Sequence, residues 1–157
     1  CKELWMPKKN VKDFTLPATG GAPFTLSQHR GTFVVIYFYP KDSTPGCTTE
    51  AGEFRDLQAQ FTKAKAIVVG VSRDSLKSHE NFRAKLELPF HLISDADETL
   101  CQQFEVIRLK KLYGKEVRGI ERSTFLIGPE GNLLTEWRGV KAPGHAAEVL
   151  AEIQSHS

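Results

Sequence analysis

No stretch of this 157-residue chain approaches the roughly 20 consecutive apolar residues that a bilayer-spanning helix needs, so no membrane partner is expected. Charge of one sign is also scarce. Lys and Arg number 21 against 19 Asp and Glu, for a net charge of +2, too small an excess to argue for nucleic acid or an anionic lipid surface. The densest basic run, RLKKLYGKEVR (108–118), includes Glu116 and reads as a solvated, loop-like surface. Cysteine is limited to three residues with no CxxC pair. That odd number argues against a secreted disulfide framework and for a reducing, cytoplasmic setting with reactive or buried thiols. The five histidines, His29, His79, His91, His145 and His156, lack close ligand spacing, so neither a metal nor a cofactor is expected. Repeats, low-complexity tracts and linkers are absent, which makes residues 1–157 one domain. The chain starts at Cys1 with no signal peptide visible. Residues 1–9 read as disordered or as foreign to the native chain, and an upstream processed segment stays open.

A chain of this length can bury roughly 68–70% of its unfolded surface without disulfide staples. The stretch DFTLPATGGAPFTL predicts a small hairpin around Gly20 and Gly21. TFVVIYFY (32–39) is β-branched and aromatic on both faces, as a central strand should be. A helix follows the PKDSTPG turn, with Ala51, Phe54, Leu57 and Phe61 as its buried stripe. AIVVGVS (66–72) predicts a second buried strand, SLKSHENFRAKLEL (75–88) a helix, and PFHLISD a short strand. Asp95 and Asp97 are both candidates to cap the helix DETLCQQF. STFLIGPEGNLLTEW predicts a hairpin with Pro129 and Gly131 at the second and fourth turn positions, and GHAAEVLAEIQ a closing helix. The order β-α-β-α-β-α-β-β-α specifies an α/β domain, a mixed central sheet with helices on both faces. A thioredoxin-like arrangement fits it best.

The chemistry concentrates in FYPKDSTPGCTTEAGEF (38–54). Pro45-Gly46 ends an extended segment, and Cys47 falls in the first turn of the next helix, one turn before the inward Ala51. The unpartnered N–H groups and the positive end of the macrodipole there favour a thiolate, in a partly shielded pocket. The Thr44 hydroxyl, one turn upstream, can donate to that thiolate or to an oxygen beside it. Arg122 stands where the buried strand STFLI begins and shares a face with Thr124 and Leu126, which makes it the candidate second positive group. Each residue also has a plainer reading: Cys47 as a small core residue, Arg122 as a surface cation, Glu50 as a first-turn acid on the helix dipole.

Pro40-x-x-x-Thr44-x-x-Cys47 matches the active-site signature of the peroxiredoxins. The setting FYPKDSTPGCTTE resembles the peroxiredoxin Q, or bacterioferritin comigratory protein, subfamily. The likeness continues through VGVSRDS, LISDADE, YGKEVRGIERSTFLI and the terminal helix, roughly residues 10–154. It implies a thiol peroxidase in which Cys47 attacks the O–O bond of hydrogen peroxide or an organic hydroperoxide and becomes a sulfenic acid. Thr44 and Arg122 would bond the peroxide oxygens, Pro40 would shield the pocket, and Glu50 would orient the network.

Many members of the subfamily carry a second, resolving cysteine, and both of its usual positions are occupied otherwise here, by Gly52 and Arg83. Cys101 shares a helical face with apolar Leu100 and Phe104 and reads as a core thiol, with resolution of Cys47 as its alternative role. Cys1 sits on a terminus expected to be mobile. The expectation is therefore a one-cysteine cycle, with glutathione and glutaredoxin, or thioredoxin, as reductant, in a monomer or weak dimer. The rivals are a two-cysteine cycle through Cys101, a thiol–disulfide oxidoreductase, and a thioredoxin-like module that only binds partners.

Overall fold

Two short strands, β1 (Thr15–Leu16) and β2 (Phe24–Thr25), pair antiparallel as the expected N-terminal hairpin, and a 3-10 turn follows over Leu26–His29. The structure is a computed structural model, described here for residues 14–20, 23–29, 31–39, 45–104, 106–112, 115–129, 131–139 and 144–155. Strand β3 (Phe33–Phe38) leads to helix α1 (Pro45–Asp56). After a one-residue interruption at Leu57, helix α2 (Gln58–Lys63) continues the same direction of burial. Ala51, Phe54 and Phe61 are all fully buried, so the stripe read from the sequence persists across that break. Strand β4 (Ala66–Ser72), helix α3 (Leu76–Leu86) and strand β5 (His91–Ser94) follow. Ser75 caps α3, its Oγ accepting from the Ser78 N–H at 3.2 Å.

Helix α4 (Thr99–Gln103) is capped by Asp95, whose carboxylate accepts from the N–H groups of Leu100 (3.1 Å) and Cys101 (2.8 Å). Of the two aspartates expected there, the exposed Asp97 takes no part in this cap. The basic run read as a loop is instead a β-ribbon. Strands β6 (Ile107–Leu112) and β7 (Lys115–Ile120) pair antiparallel, with Lys111 opposite Glu116. Its charged residues conceal the alternation of apolar and polar positions by which strands are usually recognised. Strands β8 (Ser123–Ile127) and β9 (Leu133–Trp137) form the last hairpin, and helix α5 (His145–Ser155) closes the chain. In its turn the Gly131 N–H donates to the Gly128 carbonyl at 2.9 Å, and Gly131 holds φ +87°, a conformation that suits glycine.

The five-stranded sheet runs β5-β4-β3-β8-β9. β3, β4 and β5 are parallel neighbours, whereas β8 and β9 are antiparallel. The sheet is a thioredoxin-like mixed sheet of the kind the element order specified. At Gly70 a Cβ would lie 2.8 Å from Tyr37 and Leu92 side-chain atoms, so only glycine lets the strands' side chains close there.

Alternation along the strands splits the core in two. Val35, Tyr37, Val68, Leu92 and Leu126 face α1, α2, α3 and α5. Val34, Ile36, Phe38, Val71, Ile93 and Phe125 face α4 and the N-terminal hairpin. Cys47 belongs to the first layer and Cys101 to the second. Among the described residues no helix is long and apolar enough to cross a membrane.

Candidate active site

Helix α1 starts at Pro45, two residues earlier than the sequence suggested. Proline's fixed φ suits a first helical position, where its missing N–H costs nothing. Cys47 is the third residue of α1 and Glu50 lies one turn on, so both occupy one face of the helix. Antiparallel pairing of β8 with β3 then brings the residue just ahead of β8, Arg122, to the same place. The Arg122 Nη2 donates to Cys47 Sγ at 3.4 Å, and its Nη1 donates to Glu50 Oε1 at 2.6 Å. One planar guanidinium thereby holds a thiol and a carboxylate with separate nitrogens, a fork that lysine could not supply.

The site is drier than the partly shielded pocket that was expected. Cys47 is 1% exposed and the Glu50 side chain 0%. Burial pushes the Glu50 carboxyl up from 4.5 to about 7, against the pull of Arg122. That direction follows from the geometry, because the carboxyl is fully buried and its Oε2 has no partner among the described residues, which outweighs the Oε1 bond to Arg122. Burial also works against the Arg122 charge, but Glu50 and Cys47 beside it prevail and hold the guanidinium above its ordinary value. Glu50 therefore has a partly buried partner 72 positions away in sequence. A role on the helix dipole alone does not account for that contact.

Thr44 and Pro40 lie outside the described residues, as does Cys1. Cys101 is described, and the sheet stands between it and Cys47. It is fully buried, and burial, followed by the Asp95 carboxylate, pushes its thiol far above the usual range. Gly52 lies on α1 beyond Glu50, and Arg83 on α3 spends its Nε on the Phe90 carbonyl at 3.1 Å. Among the described residues no group of three or more His, Cys, Asp or Glu could hold a metal ion.

Sequence reasoning missed a second buried group beside this one. His145, at the start of α5, is 1% exposed, with Nε2 2.7 Å from Thr124 Oγ1 and Nδ1 3.0 Å from Glu148 Oε1. Thr124 was placed on the right face, but nothing in the local sequence announces a partner 21 residues downstream.

A thiol in the first turn of a helix, bonded by a partly buried arginine beside a thioredoxin-like sheet, is an arrangement suited to thiol chemistry. The chain belongs to the AhpC/TSA family, whose model matches residues 7–135. Peroxiredoxin Bcp of Xanthomonas campestris pv. campestris is 56% identical over 145 residues, which cover 92% of this chain and 91% of that protein. Peroxiredoxin Bcp of Bacillus subtilis is 48% identical over 149 residues, 95% of each chain. A solved structure of the Xanthomonas campestris bacterioferritin comigratory protein, for which alkyl peroxide reduction activity is described, is also similar. It superposes with a TM-score of 0.87 at 55% identity, covering 91% of each chain. The subfamily resemblance in FYPKDSTPGCTTE thus extends over the chain, which is a peroxiredoxin of the peroxiredoxin Q type and, with its relatives, a thiol peroxidase.

Proposed function

We propose that Cys47 is the peroxidatic nucleophile and that the enzyme runs a one-cysteine cycle on hydrogen peroxide and organic hydroperoxides. The observation that carries this is the Arg122 fork, which ties Cys47 Sγ to buried Glu50. A thiolate beside a fixed cation needs no metal to break an O–O bond, provided donors await the charge that moves onto the leaving oxygen. The thiolate sulfur attacks the terminal peroxide oxygen, the S–O bond forms as the O–O bond breaks, and the departing alkoxide takes up a proton. The products are the Cys47 sulfenic acid and an alcohol, or water when the substrate is hydrogen peroxide. Arg122 and Thr44 are the proposed donors to the peroxide oxygens, Pro40 the shield against water, and Glu50 the residue that fixes Arg122. Organic hydroperoxides are included because the Xanthomonas relative reduces alkyl peroxides.

The sulfenic acid is then attacked by an external thiol, which releases water and leaves a mixed disulfide. A second thiol restores Cys47 before over-oxidation to the sulfinic form. Glutathione with glutaredoxin, or thioredoxin, is the proposed source of those thiols. Cys101 is the poorer candidate for that step, since it is buried on the far layer of the core with its proton held on.

The test is steady-state reduction of hydrogen peroxide and an alkyl hydroperoxide with each reductant system, in wild type and Cys101→Ala. Turnover kept in Cys101→Ala supports the external cycle. Turnover lost in Cys101→Ala, with its fold intact, contradicts that cycle, and insulin reduction without peroxide turnover would point to an oxidoreductase.

A further inference from the structure

His145 occupies the point where four elements of the Cys47 layer meet. It opens α5, bonds Thr124 on β8, and sets its ring edge-on against Trp137 of β9 (5.7 Å) and Phe54 of α1 (6.3 Å). One residue earlier, the Gly144 N–H donates to Glu53 Oε1 of α1 at 2.8 Å. The helix that carries Cys47 and the strand that begins after Arg122 are therefore both fastened to the same end of α5.

The hydrogen-bond directions can be assigned. The Glu148 carboxylate is an acceptor, so His145 Nδ1 carries the ring proton and Nε2 is left with its lone pair. Thr124 then donates its hydroxyl proton to Nε2. Burial holds His145 below the usual imidazole range, against the pull of Glu148, which keeps the neutral acceptor form. Thr124 stands two residues after Arg122 on the same face of the strand and lies opposite Tyr37 of β3 and Trp137 of β9. Fixing Thr124 fixes the start of β8, and with it the backbone from which the Arg122 side chain reaches Cys47.

We propose that His145 is a positioning residue for peroxide reduction, its Nε2–Thr124 hydrogen bond setting the reach of Arg122 to Cys47. The inference rests on the reading of Cys47 and Arg122 as the peroxide-reducing pair. It adds that their alignment is set from beneath, by a contact that touches neither substrate nor sulfur. Misplacement of a reacting group by about 1 Å can cost up to a hundredfold in rate, so a partial loosening should cost about tenfold.

The experiment compares wild type with Thr124→Val, Thr124→Ser, His145→Leu, His145→Gln and the Thr124→Val/His145→Leu double variant. Two readouts are taken on each: stopped-flow oxidation of Cys47 by hydrogen peroxide, and the pH dependence of its alkylation by iodoacetamide. Thr124→Val and His145→Leu should each slow oxidation about tenfold and move half-maximal alkylation to higher pH. The double variant should be no slower than either single, because one bond is being removed twice. Thr124→Ser keeps the hydroxyl and His145→Gln keeps an acceptor near the Nε2 position, so both should stay within about threefold of wild type. Should His145→Leu fail to fold, Thr124→Val against Thr124→Ser still decides the matter. Rates and alkylation profiles unchanged in Thr124→Val, even with a lowered melting temperature, would overturn the proposal, as would losses that multiply in the double variant. Failure of wild type itself to react with peroxide would instead refute the reading of Cys47.

Discussion

Cys47 and Cys101 are both at most 1% exposed and both lie in the first turn of a helix, yet they face opposite electrostatics. Cys47 receives a hydrogen bond from the Arg122 guanidinium. Cys101 is kept protonated by burial first and then by the Asp95 carboxylate beside it, which also caps α4 through the Leu100 and Cys101 N–H groups. Burial and helix position therefore do not by themselves make a cysteine reactive. The sign of the nearest fixed charge is what distinguishes the proposed nucleophile from the core thiol.

The widest separation between the two should come from deleting each thiol in turn. Cys47→Ser should lower peroxide turnover at least about a thousandfold, as loss of a covalent nucleophile does, whereas Cys101→Ala should keep turnover within about twofold, in the same coupled assay. Next in size is the Arg122 charge beside Cys47. Replacing Arg122 by Met removes one preorganised charged donor, which costs about 10² to 10³ in rate, and stopped-flow oxidation reads it directly. Arg122→Lys should recover only a minor part, because a point charge cannot serve Cys47 and Glu50 with two separate nitrogens.

Smaller effects test the surroundings. Glu50 is raised in the folded protein from 4.5 to about 7, so between those pH values the folded state holds a proton that the unfolded chain releases. Stability conferred by the neutral form is present at low pH and falls as pH rises through that window, by about 3 kcal/mol. Glu50→Gln carries no such titration, so its melting temperature should gain on wild type between pH 5 and pH 8. On the opposite layer, Asp95→Ala should cost about 2 kcal/mol through the lost α4 cap while Cys47 oxidation stays within about twofold. Thermal melts and stopped flow on one sample separate those outcomes.

What could be read in advance follows the same division between local and distant. The helix that carries Cys47, the central strand and the terminal hairpin are local patterns, and the sequence carries them openly. Arg122 was recognisable from its place before a buried strand, although its fork onto Cys47 and Glu50 depends on β3–β8 pairing. Whether Glu50 served the helix dipole or Arg122 had no local answer, because that contact spans 72 residues. His145 was hidden for the same reason, and among five scattered histidines it had no distinguishing spacing. The ribbon of β6 and β7 was misread because its dense charges mask period-two patterning.

The comparison of the two thiols is tested most directly by intact-mass analysis after one equivalent of hydrogen peroxide, with dimedone present to trap a sulfenic acid. The account predicts a monomer bearing one dimedone adduct, located by peptide mapping to Cys47, with Cys101 still a free thiol. A dominant product two hydrogens lighter than the reduced chain, mapped to a Cys47–Cys101 disulfide, would contradict it.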